Sequence, residues 1–125
     1  MILGIGVDLV DIARVERMLD RHQGRARDRV FTAGEIAYCN EAGRPGESYA
    51  ARFAAKEAFF KAVGRGWGQG LAWTEVEVLS GGHGAPELRL HGAARKRADL
   101  LGVRRWHLSL THTGETAAAF LVLEG

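Results

Sequence analysis

The chain is poor in cysteine and proline and has no long apolar run, and each shortage excludes something. Cys39 is the only cysteine among 125 residues. An intrachain disulfide is therefore impossible and thiolate zinc sites are excluded, which fits a reducing cytoplasm. The five histidines form no His-x-x-x-His pair, so a histidine zinc site is not expected either. Only two prolines occur, and no repeat or low-complexity stretch suggests a linker. No apolar run approaches the ~20 residues that cross a bilayer, and no basic segment introduces an apolar leader. A soluble protein with no targeting segment and no membrane partner is expected. Neither sign of charge dominates: the net charge is +2 and the pI about 9.0. That is too weak to demand nucleic acid, yet it admits an acidic partner.

What is present fits one globular domain spanning residues 1–125, able to bury roughly two-thirds of the unfolded surface. Seventeen glycines point to tight turns and close backbone approaches. Met1 to Val10 is apolar apart from Asp8 and reads as a buried strand, with Gly4 and Gly6 marking close approach. Asp8 then needs a cation, a set of donors or a raised pKa. It can accept backbone N–H bonds at the next helix start, or act as a metal ligand or general base. Asp11 is placed to cap a helix from Ile12 to His22, with Ile12, Val15 and Leu19 inward. Arg14, Arg17 and Arg21 take its outer positions beside Met18. The basic run continues through Arg25, Arg27 and Arg29 in an expected loop. Such a face is either simply solvated or offered to an acidic helical partner.

Thr32 and Glu35 have the spacing of a capping box, which opens a short helix ending near Asn40. Glu41 to Glu47 reads as a loop, with Ser48 capping a long amphipathic helix that closes at Gly64. On that helix Phe53, Glu57 and Lys61 stack at intervals of four. Glu57 and Lys61 can form an ordinary intrahelical pair, or line the edge of a site. Gly64, Gly66, Gly68 and Gly70 make a flexible loop whose free N–H groups could cradle phosphate, although no Walker or Rossmann spacing is present. Leu71 to Leu79 and Pro86 to His91 read as a hairpin turning at Gly81-Gly82-His83-Gly84. A helix from Ala93 to Leu101 follows, stopped by Gly102. Strands from Trp106 to Thr111 and Thr116 to Leu123 close the chain. Trp106, Leu108 and Leu110 share one face of the former, with His107, Ser109 and Thr111 on the other. His112 falls at its end. The expected architecture is α+β, a mainly antiparallel sheet of about five strands packed on one long helix.

Three stretches, taken together, carry a resemblance. They are Gly4-Ile5-Gly6-Val7-Asp8-Leu9-Val10-Asp11-Ile12, the segment Arg52-Phe53-Ala54-Ala55-Lys56-Glu57-Ala58-Phe59-Phe60-Lys61-Ala62-Val63-Gly64, and His107-Leu108-Ser109-Leu110-Thr111-His112-Thr113. In order and spacing the chain resembles the holo-acyl-carrier-protein synthases, the short 4′-phosphopantetheinyl transferases. The stretches Phe31 to Cys39 and Gly84 to Gly92 are similar to that family too. The resemblance implies a magnesium-dependent enzyme of fatty acid biosynthesis. Such an enzyme moves 4′-phosphopantetheine from coenzyme A to a serine of apo acyl carrier protein, releasing adenosine 3′,5′-bisphosphate.

The resemblance also implies roles. Asp8 and Glu57 would hold magnesium, and Lys61 would stabilise charge on the pyrophosphate, which makes these three the catalytic set. Arg52, Lys61, Gly64, Gly66, Thr111 and His112 would face coenzyme A. Arg14, Met18 and Arg21 would dock the acidic carrier helix. The family's usual homotrimer, with sites between protomers, and a cytoplasmic location follow as expectations. Phe60 stands where the family often has a small residue, and Thr111 where serine is common. Arg65 and Trp67 are departures within the glycine loop. The competing reading is a basic binding module for RNA or an acidic protein. It draws on the arginine run and on Arg95-Lys96-Arg97, but gives Asp8 and Glu57 no purpose.

Overall fold

The computed structural model describes residues 1–80 and 84–125. Strand β1 (Ile2–Asp11) leads into helix α1 (Ile12–Leu19), a 3₁₀ turn over Arg21–Gly24 and helix α2 (Arg25–Val30). Helices α3 (Ala33–Glu41) and α4 (Pro45–Val63) follow, then a 3₁₀ turn over Trp73–Glu75. The remainder is β2 (Val76–Ser80), β3 (Pro86–Leu90), α5 (Gly92–Leu100), β4 (Arg105–His112) and β5 (Thr116–Glu124). The five strands divide between an antiparallel sheet in the order β1-β5-β4 and the antiparallel pair β2-β3. The expected α+β class is present; the strands occupy two sheets where one was expected.

Helix α4 is the axis of the core. Ala50, Ala54, Ala55, Ala58 and Phe59 are all fully buried, and Tyr49, Phe60 and Val63 nearly so. A helix apolar on most sides belongs inside a protein, so the amphipathic reading gives way to a core helix. Its start also differs. Pro45 occupies the first turn, where its missing N–H costs nothing, and the helix begins before Ser48. Its end is at Gly64, in the left-handed region at φ 72°, where a side chain would be strained.

The glycines of β1 set the distance between sheet and helix. A Cβ on Gly6 would collide with the Ala58 carbonyl, and one on Gly4 with the Ala62 carbonyl. Backbone therefore lies directly on backbone, and Asp8, two residues on and on the same face, is lowered onto α4. The other face of β1 is not buried as expected: Ile5, Val7 and Leu9 are exposed, as is Phe120 opposite Val7. Arg25 to Val30 forms a helix where a loop was expected. The predicted first helix stops at Leu19 and yields to a turn in which His22 and Gln23 adopt positive φ. Asp11 precedes α1 but its side chain makes no capping bond.

The Thr32–Glu35 capping box is present. Thr32 Oγ1 accepts from the Glu35 amide at 3.1 Å, and Glu35 Oε1 accepts from the Thr32 amide at 2.9 Å. Strand β4 alternates as expected, with Trp106, Leu108 and Leu110 toward the core. The β2-β3 pairing matches the expected hairpin, whose turn at Gly81, Gly82 and His83 lies outside the described residues.

Candidate active site

Two of the three predicted catalytic residues come from one helix and the third from the strand pressed against it. Lys61 Nζ donates to Asp8 Oδ1 at 2.9 Å and to the Val7 carbonyl at 3.1 Å. Asp8 is mostly covered, at 13% side-chain exposure, whereas Lys61 reaches solvent at 55%. The lysine therefore crosses from helix to strand, and the intrahelical pair with Glu57 does not form among the described residues. Glu57 is half-buried one turn before Lys61. Burial pushes its carboxyl above the ordinary value, the Asp8 charge pushes it further, and Lys61 and Arg14 pull it back. The Asp8 charge thus acts on Glu57 even with Lys61 bonded to Asp8, so the two carboxylates share a neighbourhood short of positive charge.

That deficit suits a hard divalent cation. Magnesium takes oxygen ligands and commonly uses only one or two carboxylates, with substrate phosphates and water completing its shell. Asp8 and Glu57 have the right donor chemistry. No cluster of three or more His, Cys, Asp or Glu able to hold a metal occurs among the described residues. An ion held by these two carboxylates would therefore need further oxygens from elsewhere.

Of the predicted nucleotide residues, Arg52 and His112 lie in a second place. Arg52 faces away from Glu57 on α4 and lines a cleft of about 440 Å³ with Arg44, Ser48, Ser80 and His112 among its walls. Arg52 as a whole is only 6% exposed; its guanidinium donates to Ser48 Oγ at 3.0 Å and Ser80 Oγ at 3.3 Å, and lies over the Tyr38 ring at 4.4 Å. It has no carboxylate partner, and its Nε makes no hydrogen bond among the described residues. A buried cation with hydroxyl partners only is an anion site in waiting. His112 Nδ1 stands 3.5 Å from Glu47 Oε1 at the cleft wall. Thr111 is exposed and projects from the opposite face of the strand, so the two neighbours separate.

The glycine loop differs from the expectation of free N–H groups. The Gly66 N–H donates to Gln69 Oε1 at 2.8 Å, and the Gly64 N–H to the Lys61 carbonyl at 3.3 Å. The loop is thus folded on itself beside Lys61. Arg14, Met18 and Arg21 do assemble, lining a small cleft of about 70 Å³ with Phe53.

Sequence reasoning assigned nothing to Lys56, which is fully buried. Its ammonium donates to Glu35 Oε1 at 2.8 Å and to the Trp73 and Val76 carbonyls at 3.1 and 2.6 Å. Burial pulls it below its ordinary value, and Glu35 opposes that pull. The only sign in the sequence is a lysine amid alanine and phenylalanine. The serines and tyrosine around Arg52 carry no sign at all.

The sequence profile described as the 4′-phosphopantetheinyl transferase superfamily matches residues 4–120. The chain belongs to that superfamily. Within it, this transferase is 45% identical to the holo-[acyl-carrier-protein] synthase of Solibacter usitatus, over 99% of both chains. Among solved structures it superposes on the holo-[acyl-carrier-protein] synthase of Neisseria meningitidis with a TM-score of 0.90 and 34% identity, covering 100% of both chains. The Bacillus anthracis synthase, solved in complex with CoA (3′,5′-ADP), gives a TM-score of 0.80 at 35% identity, covering 98% of this chain and 96% of that one. The transferase is thus an enzyme of the holo-[acyl-carrier-protein] synthase family, with the fold of that family.

Proposed function

We propose that this transferase moves 4′-phosphopantetheine from coenzyme A to a serine of apo acyl carrier protein, with magnesium, in cytoplasmic fatty acid biosynthesis. The convergence of Asp8 and Glu57 beside Lys61, with Glu57 raised by burial and by Asp8, carries the reading. Asp8 and Glu57 would hold the magnesium ion. When bound, it neutralises charge on the pyrophosphate oxygens. In the transfer, a bond would form between serine Oγ and phosphorus as the P–O bond to adenosine 3′,5′-bisphosphate breaks; that product leaves with the bonding electron pair, and the hydroxyl proton passes to solvent. Lys61, half in solvent, is placed to move from Asp8 toward the leaving phosphate and balance its growing charge. Arg52, with its unpaired Nε, and His112 would hold a phosphate of the nucleotide. Gly64 and Gly66 would allow the substrate to approach the loop. Thr111 joins that contact from the outer sheet face.

Arg52 and His112 line one cleft, and neither Asp8, Glu57 nor Lys61 is among its walls. We take each group as half of a site completed by a neighbouring copy, in a homotrimer. The apolar sheet face of Ile5, Val7, Leu9 and Phe120 supports this, because exposed contiguous apolar surface marks an interface. Arg14, Met18 and Arg21 would receive the acidic carrier helix. Mass spectrometry of apo carrier protein incubated with the transferase, coenzyme A and magnesium tests the function. A gain of one phosphopantetheine is expected, and an unchanged mass overturns the reading. Val7→Glu is expected to lower the mass seen by light scattering from trimer to monomer and to reduce transfer with it.

A further inference from the structure

One carboxylate stands among the cations of the Arg52 cleft. Glu47 lies in the first turn of α4, two residues after Pro45, and its side chain is only 16% exposed. Its two oxygens are divided between two basic groups. Oε2 accepts from Arg44 Nη1 at 3.0 Å, and Oε1 lies 3.5 Å from His112 Nδ1. All three residues line the cleft, and no other aspartate or glutamate does so among the described residues. Arg44 precedes α4 and His112 ends β4, so Glu47 links two distant parts of the chain across the cleft. Arg52 needs no such help, because Ser48, Ser80 and the Tyr38 ring already fix it. Arg44 and His112 are mostly in solvent and have no side-chain partner besides Glu47 among the described residues.

A lone acid in a basic cleft repels an anionic ligand, so its presence there is useful only through the cations it orders. We propose that Glu47 is a positioning residue for the nucleotide: it holds Arg44 and His112 against the cleft wall so that both meet the phosphate received by Arg52. The inference rests on the reading that this cleft takes a phosphate of the nucleotide, and it adds the group that arrays the donors. Glu47 itself touches no phosphate. The His112 ring settles with Nδ1–H toward the carboxylate, since a lone pair there would face negative charge. Nε2 is then the nitrogen left for the ligand. Between a carboxylate and a phosphate the ring is held as imidazolium and donates to both. Two side chains ordered before the ligand arrives also spare the entropy of ordering them on binding.

The test measures binding of adenosine 3′,5′-bisphosphate by calorimetry, without carrier protein, to wild type, Glu47→Ala and Glu47→Gln, and then steady-state transfer. Glu47→Ala is expected to weaken nucleotide binding roughly 10-fold, the low end of what losing the outer partner of a ligating histidine costs at metal sites. The KM for coenzyme A should rise in parallel while kcat and the KM for carrier protein stay at wild-type values. Glu47→Gln, which keeps an oxygen toward one partner, recovers part of the loss. Because Glu47 acts through its partners, adding Glu47→Ala to the Arg44→Ala/His112→Ala protein should change nucleotide affinity less than about twofold. Nitrogen-15 spectra of the wild-type complex should show His112 protonated at both ring nitrogens, and Glu47→Ala should alter them. Undiminished nucleotide affinity in Glu47→Ala overturns the proposal. The full loss in the Arg44→Ala/His112→Ala protein, or a His112 spectrum indifferent to Glu47, also overturns it. A wild type that binds the nucleotide without transferring leaves the role of Glu47 standing and removes the catalytic reading; one that does not bind it removes both.

Discussion

Lys56 and Lys61 stand five residues apart on α4, each bonded to a carboxylate and to backbone carbonyl oxygen, and they do opposite things. Lys56 is sealed. Glu35 and two carbonyls take up its ammonium, the Phe31 ring lies 5.6 Å away, and no surface of it meets water. Glu35 is equally committed, accepting from the Thr32 and Val78 amides as well. Lys61 shares its carboxylate neighbourhood with a second acid, Glu57, and keeps more than half its side chain in solvent. The lesson is that ion pairing does not by itself mark a working site. A fully satisfied pair fixes helix against strand, whereas a pair with surplus negative charge and open solvent can still bind something.

The comparison can be broken most severely at Lys56. Lys56→Met leaves Glu35 buried without its cation, and breaking one side of such a pair costs about 3–5 kcal/mol. Urea unfolding is expected to report that loss, and the double variant with Glu35→Gln should recover part of it. Wild-type stability in Lys56→Met would dismiss the sealed reading. Next in size is Glu57→Gln. It should lower transfer by at least about a hundredfold, the scale of removing one charge-stabilising group. Circular dichroism should remain that of the wild type, since Glu57 makes no side-chain hydrogen bond or ion pair among the described residues. Full transfer activity in this variant would leave the open pair without a purpose.

The smallest effect is in pH. The folded Glu57 carboxyl is held above its ordinary value of 4.5, so the folded state keeps a proton where the unfolded state has released it. Stability therefore falls as pH rises through that window. Glu57→Gln lacks this slope, so its small advantage over wild type near neutral pH should shrink as pH is lowered through the window. Magnesium protection of the wild-type melting temperature should weaken over the same descent, because the ligand must be deprotonated. A pH-independent difference between the two proteins would remove Asp8 and burial as the cause.

Local pattern made much of this legible. The capping box needs only Thr32 and Glu35 three residues apart, the end of α4 needs only Gly64, and β4 declares its faces by alternation. Asp8 was visible as the one acid in an apolar strand. Long-range pairings were not. Glu35 and Lys56 are 21 positions apart, and neither periodicity nor capping relates them. The burial of α4 was underestimated because its alanines count as weakly apolar, while their small size is what admits β1. Arg25 to Val30 was read as a loop since charge masked its helical spacing.

The sequence by itself marked the Thr32–Glu35 cap, the end of α4 at Gly64 and the apolar face of β4, and it singled out Asp8, Glu57 and Lys61 as candidates for a site. It could do so because capping, alternation and helical spacing act over a few residues. Only the tertiary structure decided that Lys61 turns to Asp8 and leaves Glu57, that Lys56 is structural, and that Arg52 and His112 form a separate group. Those outcomes depend on which distant backbones can touch. Here the contact of Gly4 and Gly6 with the carbonyls of Ala62 and Ala58 settles how far Asp8 stands from the helix.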